Sequence, residues 1–272
     1  PPWIKVEWNE QALLSDFDPR FAIRKPGAKE AADQRDDVFE SLPPARAEYM
    51  SECMNTEGLA TFLNSVQNYP LLKGQQSNLY KCFLPVAWRI GNCVQALLHP
   101  EGVYDDPRGG ELRENIYPRL RAHYQFANER LLFAEVDNHT RYSINVYGNA
   151  GGAIRFRTVA NLFDPSTLRS SIDHDGGGAV PGLKTAEGKW ELKGHKARVV
   201  SVDESLLGIF AQLYDSKDTP PRQARLAAIH SQELVSVLRK FGEFPKRLGD
   251  LHDSYLTLEM WHETGSQREG TL

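Results

Sequence analysis

Asn78-Leu-Tyr-Lys-Cys-Phe-Leu-Pro-Val-Ala-Trp-Arg-Ile90 and the following Gln95-Ala-Leu-Leu-His-Pro100 are the stretch that decides the fold. The first segment is dense in apolar residues and predicts a buried helix, which Pro85 should kink and Gly91-Asn92 should end. The second segment is a short apolar run that is typical of a buried strand. This helix and strand are the reference point for the segments on either side.

Residues 9–77, upstream of this unit, are expected to form a long and mostly helical excursion. Turns are indicated at Asp18-Pro19, Lys25-Pro26-Gly27 and Pro43-Pro44. Residues 45–66 show apolar positions at a roughly helical spacing, with an interruption at Gly58. We expect this apolar stripe to face the core; its members are Met50, Met54, Leu59, Phe62, Leu63 and Val66.

Downstream, Gly109-Gly110 opens a helix, and two strands are predicted over residues 123–133 and 141–147, joined by a turn at 137–139. The glycine-rich segment 148–152 is the best domain boundary in the chain. Beyond it the sequence predicts a mixture of strands, helices and one loop. The strands cover 154–159 and 198–202, the loop covers 173–182, and the helices cover 205–214, 221–241 and 246–261.

The amino-acid composition limits the classes of protein to which the chain can belong. The chain has 272 residues, of which 40% are apolar and 25% charged, the balance of a soluble globular protein. It contains no apolar run long enough to span a membrane. Three cysteines form neither a disulfide framework nor a CxxC pair, so no metal site is expected and a reducing cytoplasm fits. A net charge of −4 argues against a protein that coats nucleic acid, but it does not exclude a DNA enzyme with a local basic patch.

Pro1-Pro2-Trp3, followed by further apolar residues, looks like the tail of a catalytic tetrapeptide whose first residue, Asn or Asp, is missing. Four further strings occur in a matching order, and together they resemble the second half of gamma-type amino-methyltransferases. The similarity is closest to the large adenine-specific DNA methyltransferases of restriction–modification and phage-defence systems. The strings are Ser77-Asn-Leu-Tyr-Lys-Cys-Phe83, Leu97-Leu-His-Pro-Glu-Gly102, Leu112-Arg-Glu114 with Leu132-Phe133, and Ser143-Ile-Asn-Val146. The alternative is that Pro1-Pro2-Trp3 is an arbitrary N-terminal loop.

The resemblance implies an α/β fold. Residues 1–148 would be the second half of a doubly wound, Rossmann-like sheet that binds S-adenosylmethionine, interrupted by a helical insertion at about 9–77. Residues 149–272 would begin a mixed α+β region that recognises the target sequence. The glycine-rich cofactor loop of the family lies upstream of the tetrapeptide, so we expect it to be absent from this chain. The chain alone is then expected to be inactive, and it would need the missing N-terminal half or a companion subunit.

The resemblance also assigns chemistry to the first three residues. The Pro1 carbonyl would accept a hydrogen bond from the exocyclic amine of a flipped-out adenine, and Pro2 would hold the turn. Trp3 would be the platform on which the extruded base stacks, with an ordinary core or surface indole as the alternative. The expected partner is double-stranded DNA, and no membrane partner is expected.

Other residues of the pocket follow from the matching strings. Asn78 and Tyr80 would face the cofactor and the base, with a helix N-cap and core packing as equally weighted alternatives. Pro100 and Glu101 end a strand where ligands usually bind in such sheets, although a simple turn is the alternative. Basic residues occur in clusters, and some of them could contact DNA phosphates, or they could belong to solvated faces. The candidates are Arg108, Arg113, Arg155, Arg157 and Lys196.

The sequence leaves other functions open. The chain could be a catalytically incomplete DNA-binding or scaffold subunit that retains half of a methyltransferase. The same tetrapeptide also serves enzymes that methylate a protein glutamine, RNA or the N4 amine of cytosine. Transfer of a methyl group to N6 of adenine in a specific duplex site is the function that the resemblance favours.

Overall fold

A computed structural model describes residues 1–76, 78–91, 94–246 and 248–254, together with residues 266 and 270. Over these residues the chain builds an open sheet of five strands with helices packed against it. The strands are β1 (Gln95–Pro100), β2 (Leu120–Ala127), β3 (Arg141–Tyr147), β4 (Arg155–Leu162) and β5 (Val200–Asp203).

Helices precede the sheet and fill its connections. They are α1 (Glu10–Leu14), α2 (Arg20–Arg24), α3 (Ala28–Ser41), α4 (Pro43–Asn64), α5 (Leu79–Ile90), α6 (Gly102–Asp105), α7 (Gly110–Ile116), α8 (Pro165–Ile172), α9 (Glu204–Tyr214) and α10 (Gln232–Glu243). Short 3-10 helices cover Pro70–Leu72, Asn128–Arg130, Lys196–Arg198, Pro221–Gln223 and Leu248–Ser254. Among the helices that the structure describes, none combines the length and the apolar character needed to cross a membrane.

The strand order is β1-β3-β2-β4-β5. β3 is antiparallel to both of its neighbours, β4 is parallel to β2, and β5 is antiparallel to β4. β1, β2 and β4 therefore run in the same direction, and their carboxyl ends lie along one edge of the sheet, which we call the carboxyl edge. The prediction of an α/β fold is confirmed as a mixed open sheet with helices, while its finer assignment as half of a methyltransferase sheet stays a prediction.

Both faces of the sheet are covered. On one face, the aromatic and aliphatic side chains of β1, β3 and α5 to α7 pack with α9 in the largest hydrophobic cluster. On the other face, Phe126, Tyr142, Val159 and Leu162 form a smaller cluster against which Leu168 of α8 packs. The glycine-rich segment 148–152 connects β3 to β4, and β4 pairs with β2, so strands from both sides of residue 148 share one sheet.

The excursion at residues 9–77 is helical, as predicted, but α4 differs from expectation. It runs through Gly58 without a break. Of the stripe expected to face the core, only Leu63 is buried, and Met54 is 69% exposed. The reason is that α4 bridges two clusters: Ala45 packs with the other helices of the excursion, and Leu63 packs with the main core. The turns between these two contacts have no buried residue.

The C-terminal helices also differ from the helices predicted from the sequence. The helix predicted over 221–241 is three segments: the 3-10 helix at 221–223, an irregular stretch at 224–231, and α10. Ala224, Leu226 and Ile229 are buried in the irregular stretch, because its backbone follows α6, where the Leu226 amide donates to the Tyr104 carbonyl. Of the helix predicted over 246–261, residues 248–254 form a 3-10 helix, and residues 255–261 lie outside the described residues.

Replacement of Leu207 by Ala should lower the free energy of unfolding by about 2–5 kcal/mol, because this side chain is fully buried in the main cluster. The matched change Met54→Ala removes a side chain that is 69% exposed and should cost less than about 0.5 kcal/mol. Urea denaturation of both variants measures the difference. Equal losses would mean that α4 is packed in solution.

Candidate functional site at the carboxyl edge

Backbone hydrogen bonds attach the N-terminal segment to the start of α5. The Leu79 amide donates to the Ile4 carbonyl at 3.0 Å, and Lys5 forms an isolated antiparallel bridge with Asn78. Trp3 is held in turn by β1, because its indole N–H donates to the Leu98 carbonyl at 3.2 Å. The first three residues therefore lie against the carboxyl half of β1 and beside the N-terminus of α5.

The Trp3 indole lies among aromatic side chains. Its ring centroid is 5.6 Å from those of Phe133, which meets it edge-on, and Tyr142, which is tilted by 35°. Trp3 is half-buried, and beside it a groove of about 500 Å³ opens to solvent. The groove is lined by Pro1, Trp3, Ala96, Leu97, Leu98, Phe133 and Val136. This volume falls within the range of about 300–1,000 Å³ that is common for small-molecule sites.

Two residues of the expected pocket have structural roles here. Asn78 is the N-cap of α5, and its side-chain oxygen accepts from the Tyr80 amide at 3.4 Å. Tyr80 is 2% exposed and stacks on His99 with 5.5 Å between ring centroids. Burial raises the pKa of the Tyr80 hydroxyl, so it stays protonated. Pro100 is half-buried at the end of β1, where it pairs with Tyr142.

Glu101, immediately after β1, is the centre of a buried polar network. Its Oε1 lies 3.1 Å from Nε2 of His123 on β2, and its Oε2 accepts from the Gln125 amide at 2.8 Å. Ser143 of β3 also hydrogen-bonds to this carboxylate. The second ring nitrogen of His123 lies 2.8 Å from the Thr158 hydroxyl on β4. The network therefore joins the four strands β1 to β4.

The charge of Glu101 is stabilised by its partners rather than by water. Burial alone raises the pKa of a carboxyl group, because it penalises the charged form. Here the attraction of His123 and the hydrogen bonds from His123, Ser143 and Gln125 outweigh burial and lower the pKa of Glu101 from 4.5 to about 2. Glu101 is therefore a carboxylate at neutral pH, although only 4% of it is exposed.

A second buried layer lies next to this network. His99 Nε2 is 3.0 Å from the Tyr147 hydroxyl, and the Tyr104 hydroxyl donates to the Asn145 side chain at 2.6 Å. Burial lowers the pKa of His99 from 6.5 to about 4, so its imidazole is neutral at pH 7. None of these groups faces the groove beside Trp3. The layer stabilises the sheet rather than forming part of the open site.

The basic residues suggested as DNA contacts do not share one surface. Arg113 is 1% exposed, and its guanidinium donates to the carbonyls of Val103, Asp106 and Gln223, so it does not reach a phosphate at the surface. Arg108 is exposed and donates to the Gly74 carbonyl. The other three are also exposed: Arg155 and Arg157 lie in the amino-terminal half of β4, and Lys196 lies shortly before β5.

The members of the network other than Glu101 are not among the residues predicted from the sequence. Polar residues at alternate positions of two buried strands could have shown them: His123 and Gln125 in β2, and Ser143 and Asn145 in β3. A buried polar group normally needs a hydrogen-bonding partner. Four such groups on neighbouring strands therefore indicate a shared network.

Replacement of Glu101 by Gln should flatten the loss of stability in acid. Because the folded-state pKa is depressed, the stabilisation by the charged form is present above pH 4.5 and is lost as the pH falls towards 2. The wild type should lose on the order of 3 kcal/mol over this range through Glu101, and Glu101→Gln should not. At pH 7 the variant should be destabilised by roughly 3–5 kcal/mol. Urea denaturation at several pH values measures both effects.

The control is Glu129→Gln, which changes the partner of an exposed histidine. His139 Nδ1 lies 3.3 Å from Glu129, and the histidine side chain is 77% exposed. Such a pair contributes at most about 1 kcal/mol, so the acid profile should match that of the wild type. A Glu101→Gln profile parallel to the wild type would show that the Glu101 charge is not selectively stabilised.

Comparison with known proteins assigns neither a family nor a function to the chain. The chain matches no protein-family model, and no curated protein resembles it in sequence. The residues at the carboxyl edge, and the resemblance of their sequence strings, are what bears on function.

Proposed function

We propose that this chain is part of an S-adenosylmethionine-dependent DNA methyltransferase that acts on N6 of adenine in a specific duplex site, in restriction–modification or phage defence. The observation that supports the proposal is the position of Pro1-Pro2-Trp3. This segment lies against the carboxyl half of β1 and next to the helix that begins after Asn78. Ligands of open α/β sheets usually bind outside the carboxyl ends of the strands.

The proposed role of Pro1 follows from the chemistry of the amine. The lone pair of an adenine amine is delocalised into the ring, so the amine is a poor nucleophile. A carbonyl that accepts its proton favours a pyramidal nitrogen whose lone pair can face the methyl group. Proline suits this position because its φ is fixed and it brings no competing N–H donor. The reaction then depends on positioning rather than on a covalent intermediate.

The proposed role of Trp3 is to offset the cost of base extrusion. Removing a base from the duplex costs a few kcal/mol, and stacking on an aromatic ring returns about 1–3 kcal/mol. The hydrogen bond to the Leu98 carbonyl fixes the indole, and the rings of Tyr142 in β3 and Phe133 in the loop before β3 support it. A fixed ring loses little entropy when a base stacks on it.

The proposal requires a cofactor half, and the sheet leaves room for one. Among the described strands only β3 pairs with β1, so the other side of β1 is unpaired within this part of the chain. Three consecutive residues of β1 line the groove beside Trp3, so the groove follows this unpaired side. When bound, S-adenosylmethionine would supply the methyl group; the residues described here would orient the base.

A non-enzymatic scaffold is the second candidate, and one observation favours it. Asn78 and Tyr80, which were expected to face the pocket, are engaged as a helix cap and as a core residue. A chain that kept the fold but lost catalysis would retain these structural contacts. If the chain is a scaffold, it should bind duplex DNA but transfer no methyl group, whether or not the cofactor half is present.

Replacement of Trp3 by Ala should lower kcat/KM for methyl transfer by about 5- to 150-fold, the equivalent of losing 1–3 kcal/mol of base stacking. The measurement is transfer of tritiated methyl groups from S-adenosylmethionine to duplex DNA, with the protein expressed from the full reading frame that contains residues 1–272. Trp3→Phe should restore part of the activity, because it keeps an aromatic face.

The matched control is Trp8→Ala. Trp8 packs on Tyr49 of the helical excursion, with 5.2 Å between ring centroids. The Trp8→Ala variant should therefore keep kcat/KM within about twofold of the wild-type value. Equal activity of the Trp3→Ala variant and the wild type would refute the platform role. A wild-type protein that binds duplex DNA but transfers no methyl group would favour the scaffold.

A further inference from the structure

A β-hairpin follows α8, over residues 183–191, and carries two lysines and two glutamates. The Thr185 amide donates to the Lys189 carbonyl at 2.8 Å, and the Glu191 amide donates to the Leu183 carbonyl at 3.0 Å. Gly188 closes the turn with a φ of +75°, a conformation that favours glycine. The hairpin is therefore a defined element rather than part of the loop at 173–182.

Trp190 attaches this hairpin to the carboxyl edge of the sheet. Its ring stacks on Phe163, the residue directly after β4, with 4.3 Å between centroids. Lys184 Nζ lies 4.9 Å from the centroid of the Trp190 ring. The adjoining Leu192 carbonyl accepts from the Thr167 hydroxyl of α8 at 2.8 Å. The hairpin is thus held by the end of β4 and by the helix that covers one face of the sheet.

The groove beside the hairpin is lined by three cationic side chains and one carboxylate. Lys184 and Lys189 are exposed, and neither lies within 4.0 Å of a carboxylate in the described part of the chain. Both lysines line a groove of about 630 Å³, which Arg130 and Glu191 also line. Glu191 accepts hydrogen bonds from the amides of Leu192 and Lys193, and Glu187 is exposed at the turn.

We propose that the 183–191 hairpin binds the phosphate backbone of duplex DNA through Lys184 and Lys189. This inference rests on the proposed function, which supplies DNA as the substrate. Trp3 and Leu168 of α8 both contact the smaller hydrophobic cluster, which links the groove at Trp3 to the helix that holds the hairpin; Trp3, beside the edge strand β1, also contacts the larger cluster. β1 and β4 are three strand spacings apart, about 14 Å, which is comparable to a major groove about 12 Å wide.

The exposed arginines of β4 lie far from this hairpin along the strand. Arg155 begins the strand and Leu162 ends it, so Arg155 lies about 23 Å from the carboxyl edge at roughly 3.3 Å per residue. Arg157 is also in the amino-terminal half. A duplex that contacts Trp3 and the hairpin would not reach these arginines through the same segment of backbone.

The test compares two double variants with the same loss of charge, Lys184→Ala/Lys189→Ala and Arg155→Ala/Arg157→Ala. Binding of a short fluorescent duplex to the full chain is followed by anisotropy at several salt concentrations. The lysine variant should raise Kd about tenfold at low salt and reduce the salt slope by about 2, since each phosphate contact contributes about 0.9. The arginine variant should stay within about twofold of the wild type, and Lys184→Arg/Lys189→Arg should bind normally.

Three outcomes would overturn the inference: unchanged binding by the lysine variant, equal weakening of both alanine variants, or no binding of the duplex by the wild type. Urea denaturation of each variant shows whether it remains folded. The outcome is distinguishable from that of the proposed function. Methyl transfer by the full reading frame, together with unchanged binding by the lysine variant, would retain the methyltransferase and reject the hairpin as its DNA contact.

Discussion

The buried carboxylate of Glu101 is the constraint on which the carboxyl edge depends. Removal of a charge from water costs several kcal/mol, and only close partners with good geometry can compensate for it. Glu101 follows β1, its partners His123 and Gln125 belong to β2, and Thr158 of β4 contacts the far side of the His123 ring. A shift of one residue between these strands would turn the partners to the opposite face and leave the charge unpaired.

The same register builds the surface beside Trp3. Ser143 of β3 faces the Glu101 network, whereas its neighbours Tyr142 and Ile144 face the opposite side and pack with Trp3 in the smaller cluster. Because side chains alternate along a strand, β3 contributes to the polar network on one face of the sheet and to the aromatic support of Trp3 on the other face. The hydrogen bonds that compensate the buried charge therefore also fix the position of the aromatic groove.

The sequence was sufficient where a segment carried its own pattern. The bounds of β1 and β3 match the predicted segments, because apolar runs and alternation are local signals. It was insufficient where partners decide the outcome. The apolar side chains of α4 indicate a core face, but Met50 and Met54 are 50% and 69% exposed. The burial of Arg113 likewise depends on the carbonyl of Gln223, which is 110 residues away.

The candidate site combines a rigid sheet with two irregular segments, and in each segment an indole contacts the sheet or the residue that directly follows a strand. Trp3 binds the Leu98 carbonyl of β1, and Trp190 stacks on Phe163 after β4. Neither attachment uses the side chains of the Glu101 network. The residues around each indole can therefore change without leaving a buried charge unpaired, whereas Glu101 and His123 cannot change independently. The residues around the two indoles can thus supply specific contacts while the register of the strands stays fixed, as expected for loops carried on a rigid scaffold.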